Sequence, residues 1–261
     1  MGDDSPRTMK TVEASWEIIH LLERQNEARV TEIAKQLGLS KSTVSTHLAT
    51  LKQEKYVVCD DGKYRLSLYF LNLGEYVRNR CGVFTAGRSE VERLADETKA
   101  YCHLVAEEYG QAIYLHEAQG EHAAGENHFS KKFEKPAYLH SSAYGKAIMA
   151  YLPEHRIEEI IDEYDLIQRT DNTITSRKDL FEEMERIRDR GFALNDEEEI
   201  RGMRAVGAPI LGADDEILGA ISASKPSRQM RGEEFRDEMP QKVMSTANVI
   251  EVNIDTTDQI S

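Results

Sequence analysis

The stretch RVTEIAKQLGLSKSTVSTHLATLKQEKYVVCDDGKYRL, Arg29 to Leu66, carries the reading of the first part of the chain. Ile33, Ala34 and Leu37 recur at i, i+1 and i+4, one apolar stripe of a helix. Thr31 is the expected cap of that helix, its hydroxyl accepting from an orphan backbone N–H. Gly38 stands where a helix ends in a left-handed residue, and Leu39 plugs the turn. Ser40 then caps a second helix, which Lys41, Ser42 and Thr43 open. Val44, Leu48 and Leu51 face its core, while Ser45, Thr46, Ala49 and Lys52 join Lys41 and Ser42 on or near the other face. Tyr56–Cys59 and Tyr64–Leu66 read as short strands around the turn Asp60-Asp61-Gly62-Lys63.

Helix, glycine turn, helix and hairpin in this order describe a winged helix-turn-helix, whose second helix lies in the DNA major groove. Two helices joined by a glycine turn also occur in proteins that never touch DNA. The ordered set of cap, glycine, polar face and wing is what makes the pattern specific. Ser and Thr can bond bases or phosphates, and Lys supplies phosphate charge. The DNA-contact candidates are therefore Thr31, Ser40, Lys41, Ser42, Thr43, Ser45, Thr46 and Lys52, with His47 beside the apolar stripe and Lys63 and Arg65 on the wing.

Outward from this motif, the 261 residues suffice for two domains. The net charge of −14 runs against DNA binding until it is divided along the chain. Residues 1–80 hold 12 cationic and 11 acidic side chains, residues 81–261 hold 21 and 36, and Arg29–Arg65 is +3. Local cationic charge is what phosphate requires. The acidic remainder suits a salt-rich cytoplasm. No apolar run spans a bilayer and no leader-like segment is seen, so a soluble cytoplasmic protein without membrane association is expected. Cys59, Cys81 and Cys102 are odd in number and widely spaced, so reduced thiols are expected.

Before the motif, Val12, Trp16, Ile19 and Leu22, with Ala14, Ile18 and Leu21, predict a third helix with Trp16 in the core. After it, Phe70, Leu71, Leu73 and Val77 predict a linker helix. The expected division is 9–68 for the DNA-binding domain, 69–83 for the linker helix and 84–257 for a second domain. That domain alternates helical stripes (Ser89–Thr98, Ala143–Tyr151, Pro153–Tyr164, Ser176–Arg190) with strands (Tyr101–Glu108, Ala112–Glu117, Phe192–Asn195, Val206–Leu211, Ile217–Ser224). Gly120–Lys135 is a long polar stretch of the kind that forms binding loops. Phe235 to Ile254 continues one stripe through Pro240, a kinked helix. Hairpins flanked by helices argue an α+β sheet domain, open on one face.

Two places in it suggest a ligand. Ser141-Ser142 leads into a helix of small residues, leaving the first-turn N–H groups of Ala143, Tyr144 and Gly145 open to an anion. Plain capping explains the serines equally. Ser222 and Ser224 point to one strand face, either a polar spot inside a pocket or an exposed sheet face. Asn195-Asp196-Glu197-Glu198-Glu199 reads as a solvated acidic run. His103, His116, His122, His128 and His140 show no tight zinc-type spacing, so no metal is expected. No nucleophile elbow, P-loop, dinucleotide fingerprint or CxxC is present, so neither catalysis nor a cofactor is expected.

The segments TEIAKQLGLSKSTVSTHLATL, PAYLHSSAYGKAIMAYLP and GFALNDEEEIRGMRAVGAPILGADDEILGAISAS together resemble the IclR-type transcription regulators, over about Met9 to Ile254. With its acidic surface, the chain is similar to such a regulator from a halophilic archaeon. The resemblance implies a GAF-like effector-binding domain behind the winged helix. It implies a small acid or sugar metabolite as effector, and a homodimer or homotetramer on a pseudo-palindromic double-stranded DNA operator. It places effector contacts at Ala143, Tyr144, Asn195, Ala205, Ser222 and Ser224, beside Ser142. Tyr144 stands where many members carry a small residue, and Asn195 where an acidic one is common. The expected function is control of catabolic genes. Two other classes are kept open: a metabolite-binding enzyme with a fused winged helix, and a protein-interaction winged helix with no DNA role.

Overall fold

The computed structural model describes residues 7–120 and 138–258. They form two compact units, divided between Val77 and Arg78.

The first unit runs α1 (Lys10–Gln25), β1 (Ala28–Arg29), α2 (Val30–Leu37), α3 (Lys41–Gln53), β2 (Val57–Asp60) and β3 (Lys63–Leu66), followed by α4 (Tyr69–Asn79). Ile18, Leu21, Leu22, Ile33, Val44, Leu48 and Val57 interlock as its buried core. The hairpin β2–β3 pairs antiparallel, and β1, which the sequence does not announce, adds to its edge in the order β1-β3-β2.

Three expectations are corrected here. Thr31 does not cap α2: the cap position is Arg29, two residues earlier, and the Glu32 carboxylate accepts from the Arg29 N–H at 2.7 Å. A carboxylate at the third position closes the first turn by itself. Trp16 is half exposed rather than core, because Ile18, Ile19, Leu21 and Leu22 fill the inward face of α1. The helix after the wing ends at Asn79, and Cys81 caps a new one, so 69–83 is not a single helix.

The second unit is a five-stranded antiparallel sheet in the order β5-β4-β8-β7-β6. Its elements are α5 (Gly82–Thr98), β4 (Tyr101–Glu108), β5 (Gln111–Gln119), α6 (Ala143–Met149), α7 (Glu154–Tyr164), α8 (Arg177–Arg190), β6 (Ala193–Asp196), β7 (Met203–Leu211), β8 (Ile217–Pro226) and α9 (Met239–Asp258). Strand alternation divides the side chains cleanly. Cys102, Leu104, Val206, Ala208, Ile210, Ile221 and Ala223 face α5 and α9. Val105, Ala112, Ala193 and Ala220 face α6, α7 and α8. The sheet is therefore covered on both faces, not open on one. Each helix carries an apolar stripe that must be buried, and one sheet face cannot take all five.

The caps follow the sequence where side-chain chemistry decides them. Ser40, Ser142 and Ser176 accept from Thr43 N, Gly145 N and Asp179 N. Gly38 and Gly191 end α2 and α8 at positive φ, which costs glycine no Cβ clash. A π turn over Glu234–Glu238 runs into α9, next to Pro240, whose missing N–H cannot serve the ladder.

Candidate functional site

In the first unit, Val44, Leu48 and Leu51 bury one side of α3. Lys41, Ser42, Ser45, Thr46, Ala49 and Lys52 are exposed on it. Small polar side chains on an exposed helix can approach base edges without steric penalty. Ser40 and Thr43 are committed to the cap: Ser40 Oγ lies 2.8 Å from both Ser42 Oγ and Thr43 Oγ1 and accepts from Thr43 N. Thr46 Oγ1 donates to Ser42 O at 3.0 Å. His47 is half-buried, with Nδ1 2.8 Å from Ser15 Oγ, a tie between α3 and α1. On the wing Lys63 is paired with Glu27, and Arg65 donates to Leu66 O at 3.3 Å. Thr31 is exposed in the first turn of α2.

In the second unit the residues named from the sequence converge on one side of the sheet. Strand register sets Asn195 opposite Ala205, Ala205 opposite Ser224, and Gly207 opposite Ser222. On the other flank of β8, Ser222 lies opposite His103 and Ser224 opposite Tyr101. The start of α6 presses on this face. A Cβ on Gly207 would fall 2.5 Å from Ala143 O, so only glycine admits the helix there. Ser142, Ala143 and Tyr144 thereby stand beside Asn195, Ala205, Ser222 and Ser224.

Several of these groups are spoken for. Ser142 Oγ accepts from Gly145 N at 3.1 Å, so that N–H is not open to an anion. Asn195 is buried, donates to Ser141 O at 2.7 Å and accepts from Glu198 N at 2.9 Å. Ser224 Oγ donates to Tyr101 O at 3.3 Å. The Tyr144 phenol lies 2.6 Å from that of Tyr114 and reaches Glu199 Oε1 at 3.5 Å. Burial first, then the negative charge of Glu199, pushes the Tyr144 phenol well above its usual range, so it stays a neutral donor. His103 packs edge-on to Tyr114 and faces Glu117 Oε2 at 3.4 Å.

The acidic run is not simply solvated. Glu198 is buried, and both its oxygens accept from Lys146 Nζ at 2.6 Å, while the same ammonium donates to Leu194 O at 2.7 Å. Burial pushes the Glu198 carboxyl above the usual range, and Lys146 pulls it back. Thr170 and Thr173 hydroxyls donate to Glu197 O and Glu198 O at 2.7 Å each, and Asn172 Nδ2 to Asp196 O at 2.9 Å. This wall beside Tyr144 is missed from sequence, because Lys146 and Glu198 are 52 residues apart. Alternation along β4 and β5 was the available signal for His103 and Tyr114.

His116 and His140 are separate. His116 meets Glu92 at 3.1 Å, and His140 Nε2 donates to Ile167 O at 3.1 Å. Burial lowers the pKa of both. Among the described residues no group of three or more His, Cys, Asp or Glu could hold a metal ion. His122, His128 and most of the Gly120–Lys135 stretch lie outside the described residues. Among the described residues no helix is long and apolar enough to cross a membrane.

A winged helix with an exposed polar second helix, joined in one chain to a sheet unit with a gathered set of hydroxyl, amide and phenol groups, defines a DNA-binding regulator with a sensor-type domain. Comparison with known proteins gives the family. Residues 76–252 match the model of the bacterial transcriptional regulator IclR C-terminal domain, and residues 16–57 that of the arsR-family bacterial regulatory proteins. The chain belongs to the IclR family of transcription regulators. It is 38% identical over 256 residues to a probable HTH-type transcriptional regulator ArcR of Halobacterium salinarum, covering 98% of this chain and 97% of that one. It is 26% identical to the HTH-type transcriptional regulator XynR of Escherichia coli, covering 93% and 97%.

Among solved structures, the Thermotoga maritima IclR is similar at TM-score 0.73 and 25% identity, covering 95% of this chain and 99% of that one. An IclR homolog from Microbacterium hydrocarbonoxydans, complexed with 4-hydroxybenzoate, shares the fold at TM-score 0.77 and 16% identity, covering 94% and 99%. These relatives are transcription regulators, which sets aside the enzyme with a fused winged helix.

Proposed function

We propose that the chain controls catabolic genes for a sugar, a sugar acid or another small organic acid, in response to a small molecule bound in residues 84–257. In this reading residues 9–68 bind a pseudo-palindromic operator as part of a cytoplasmic dimer or tetramer. Ser42, Ser45 and Thr46 read bases or phosphates, and Lys41, Lys52 and Arg65 add phosphate charge. Ser142, Ala143, Tyr144, Asn195, Ala205, Ser222 and Ser224 surround the effector. The observation that carries it is the convergence of those seven positions, from α6, β6, β7 and β8, on one buried sheet face. Effector binding must favour one of two states differing in operator affinity, since equal affinity for both would shift nothing.

Fluorescence anisotropy with the upstream promoter fragment tests the DNA half. Affinity falls with rising salt, and Ser42→Ala with Thr46→Ala weakens it by about 1–3 kcal/mol for each hydrogen bond to a base that the change removes. Unchanged affinity in that variant removes α3 from the interface. For the other half, Ser222→Ala with Ser224→Ala abolishes the thermal shift given by the effector. A shift of undiminished size takes those serines out of the site.

A further inference from the structure

The wing spends much of its positive charge on itself. Lys63 on β3 stands directly opposite Arg29 on β1 and Asp60 on β2. Two cations facing each other across a ladder repel, and here each is held by a carboxylate of the same unit. Lys63 is paired with Glu27. The Arg29 guanidinium donates to Asp61 O at 3.0 Å and lies 3.8 Å from the Asp61 carboxylate. It presses so closely on the turn that a Cβ on Gly62 would fall 2.9 Å from Arg29 Nη1. Arg65 turns back to Leu66 O at 3.3 Å. Glu27, Asp60 and Asp61 thus balance Arg29, Lys63 and Arg65, whereas α3 carries Lys41 and Lys52 and no acidic residue. All six wing charges are exposed, within reach of a competing anion.

We infer that Glu27 and Asp61 are positioning residues that restrain DNA binding: by holding Lys63 and Arg29 they keep the wing from adding sequence-independent attraction to phosphate. This rests on the proposed placing of α3 and the wing on DNA, and it goes further by naming what limits the wing's grip. A cation raises affinity by displacing counterions from phosphate. One already beside a carboxylate must give that partner up, and the carboxylate then meets the phosphate as like charge, well within a screening length. Lys63, expected from the sequence to meet phosphate, is withheld in this way. Phosphate contacts carry no base information, so a wing released from its carboxylates tightens binding to every sequence alike. Selection of the operator is left to the side chains of α3 that reach base edges.

The test is fluorescence anisotropy of the full chain on the upstream promoter fragment and on a duplex of the same composition in scrambled order, over about 0.05–0.2 M KCl. Glu27→Gln should tighten binding to both duplexes by the same factor and steepen the slope of log K against log salt by about 0.9 for each motif engaged. The gain is then about 3.5-fold larger at the low end of that range than at the high end, for each motif. Asp61→Asn should do the same through Arg29, and asparagine tolerates the positive φ of that turn position. Exposed ion pairs add little to folding, so the melting temperature should hold in both variants. A merely structural role would lower it and leave the slope alone. The gain from Glu27→Gln should fall by more than half in a Lys63→Ala background. A gain that keeps half or more there is general repulsion from the carboxylate and overturns the inference, as do slopes that stay unchanged or become shallower in both variants. If the wild-type chain itself shows no salt-dependent affinity for either duplex, the placing of α3 and the wing on DNA fails, and the inference with it. If the wild-type slope is present and neither variant moves it, only the inference fails.

Discussion

At the scale of single residues, the second unit's chemistry is dominated by groups that sequence pattern cannot value. Lys146 is buried, and among the described residues its ammonium donates to Glu198 and Leu194 O. Lys146→Met should cost about 3–5 kcal/mol in urea denaturation, because it strands a buried carboxylate. Adding Glu198→Met should recover most of that, short of about 1 kcal/mol for the orphaned Leu194 carbonyl. A double variant no better than the single one would mean that the pair itself is not what the first change broke. His140 gives the pH counterpart. Burial, opposed by its bond to Ile167 O, holds its pKa below the ordinary imidazole value. The unfolded chain then takes up the proton first, so stability is full above about pH 6.5 and declines as pH falls from there toward the folded pKa. His140→Gln, which keeps a donor for Ile167 O, should shrink the drop in melting temperature between pH 7.5 and 5.5. His116, shifted the same way, keeps the drop from vanishing. An identical drop in wild type and variant would assign the acid sensitivity elsewhere. None of this was legible beforehand: a lysine among small residues reads as surface, and an acidic run reads as solvated, until a partner 52 residues away is folded against it.

At the scale of elements, the sequence was legible wherever local chemistry decides. The glycine turn, the Ser40, Ser142 and Ser176 caps and the β2–β3 hairpin all follow from i to i+4 relations or two-residue turns. Thr31 failed as a cap because Glu32 closes the turn from the other side. Glu32→Ala should therefore cost about 0.5–2 kcal/mol of stability, while Thr31→Ala, at an exposed helical position, should cost little. The approach of α6 to β7 was not legible, since it depends on a contact between Gly207 and Ala143 across the sheet. Gly207→Ala places a methyl 2.5 Å from Ala143 O. Backbone cannot yield as a flexible side-chain tip does, so the start of α6 must lift from the sheet at about 2–3 kcal/mol. Gly202→Ala is the control: φ is +80° but nothing lies within 4 Å, so only the left-handed backbone is penalised, by about 1 kcal/mol. Equal losses for the two glycines would mean that α6 is not held by this contact.

At the scale of the whole molecule, the uneven charge sets two responses to salt in opposite directions. Residues 81–261 carry −15, while Arg29–Arg65 carries +3. If the cationic face contacts the operator as proposed, binding should fall with salt, because each neutralised phosphate releases counterions, with a slope in log K of about −0.9 per contact. Lys41→Ala should make that slope shallower by about 0.9 for each motif engaged, without changing which sequence is preferred. Folding of the acidic unit should respond the other way. Salt shortens the screening length from about 10 Å at 0.1 M to about 3 Å at 1 M, which relieves repulsion among unpaired carboxylates. The same salt weakens exposed pairs such as Arg177 with Glu158 and Asp162, or Arg156 with Glu159. Such pairs contribute only about 0–1 kcal/mol each, and the carboxylates outnumber the cations by fifteen in this stretch, so repulsion relief wins. Calorimetry of the full chain from 0.1 to 2 M KCl should show the transition of the larger unit rising, by about 2–4 °C per kcal/mol relieved. A transition that falls over that range would mean that exposed ion pairs, not excess carboxylates, govern this surface, and would end the charge-based case for a salt-rich cytoplasm.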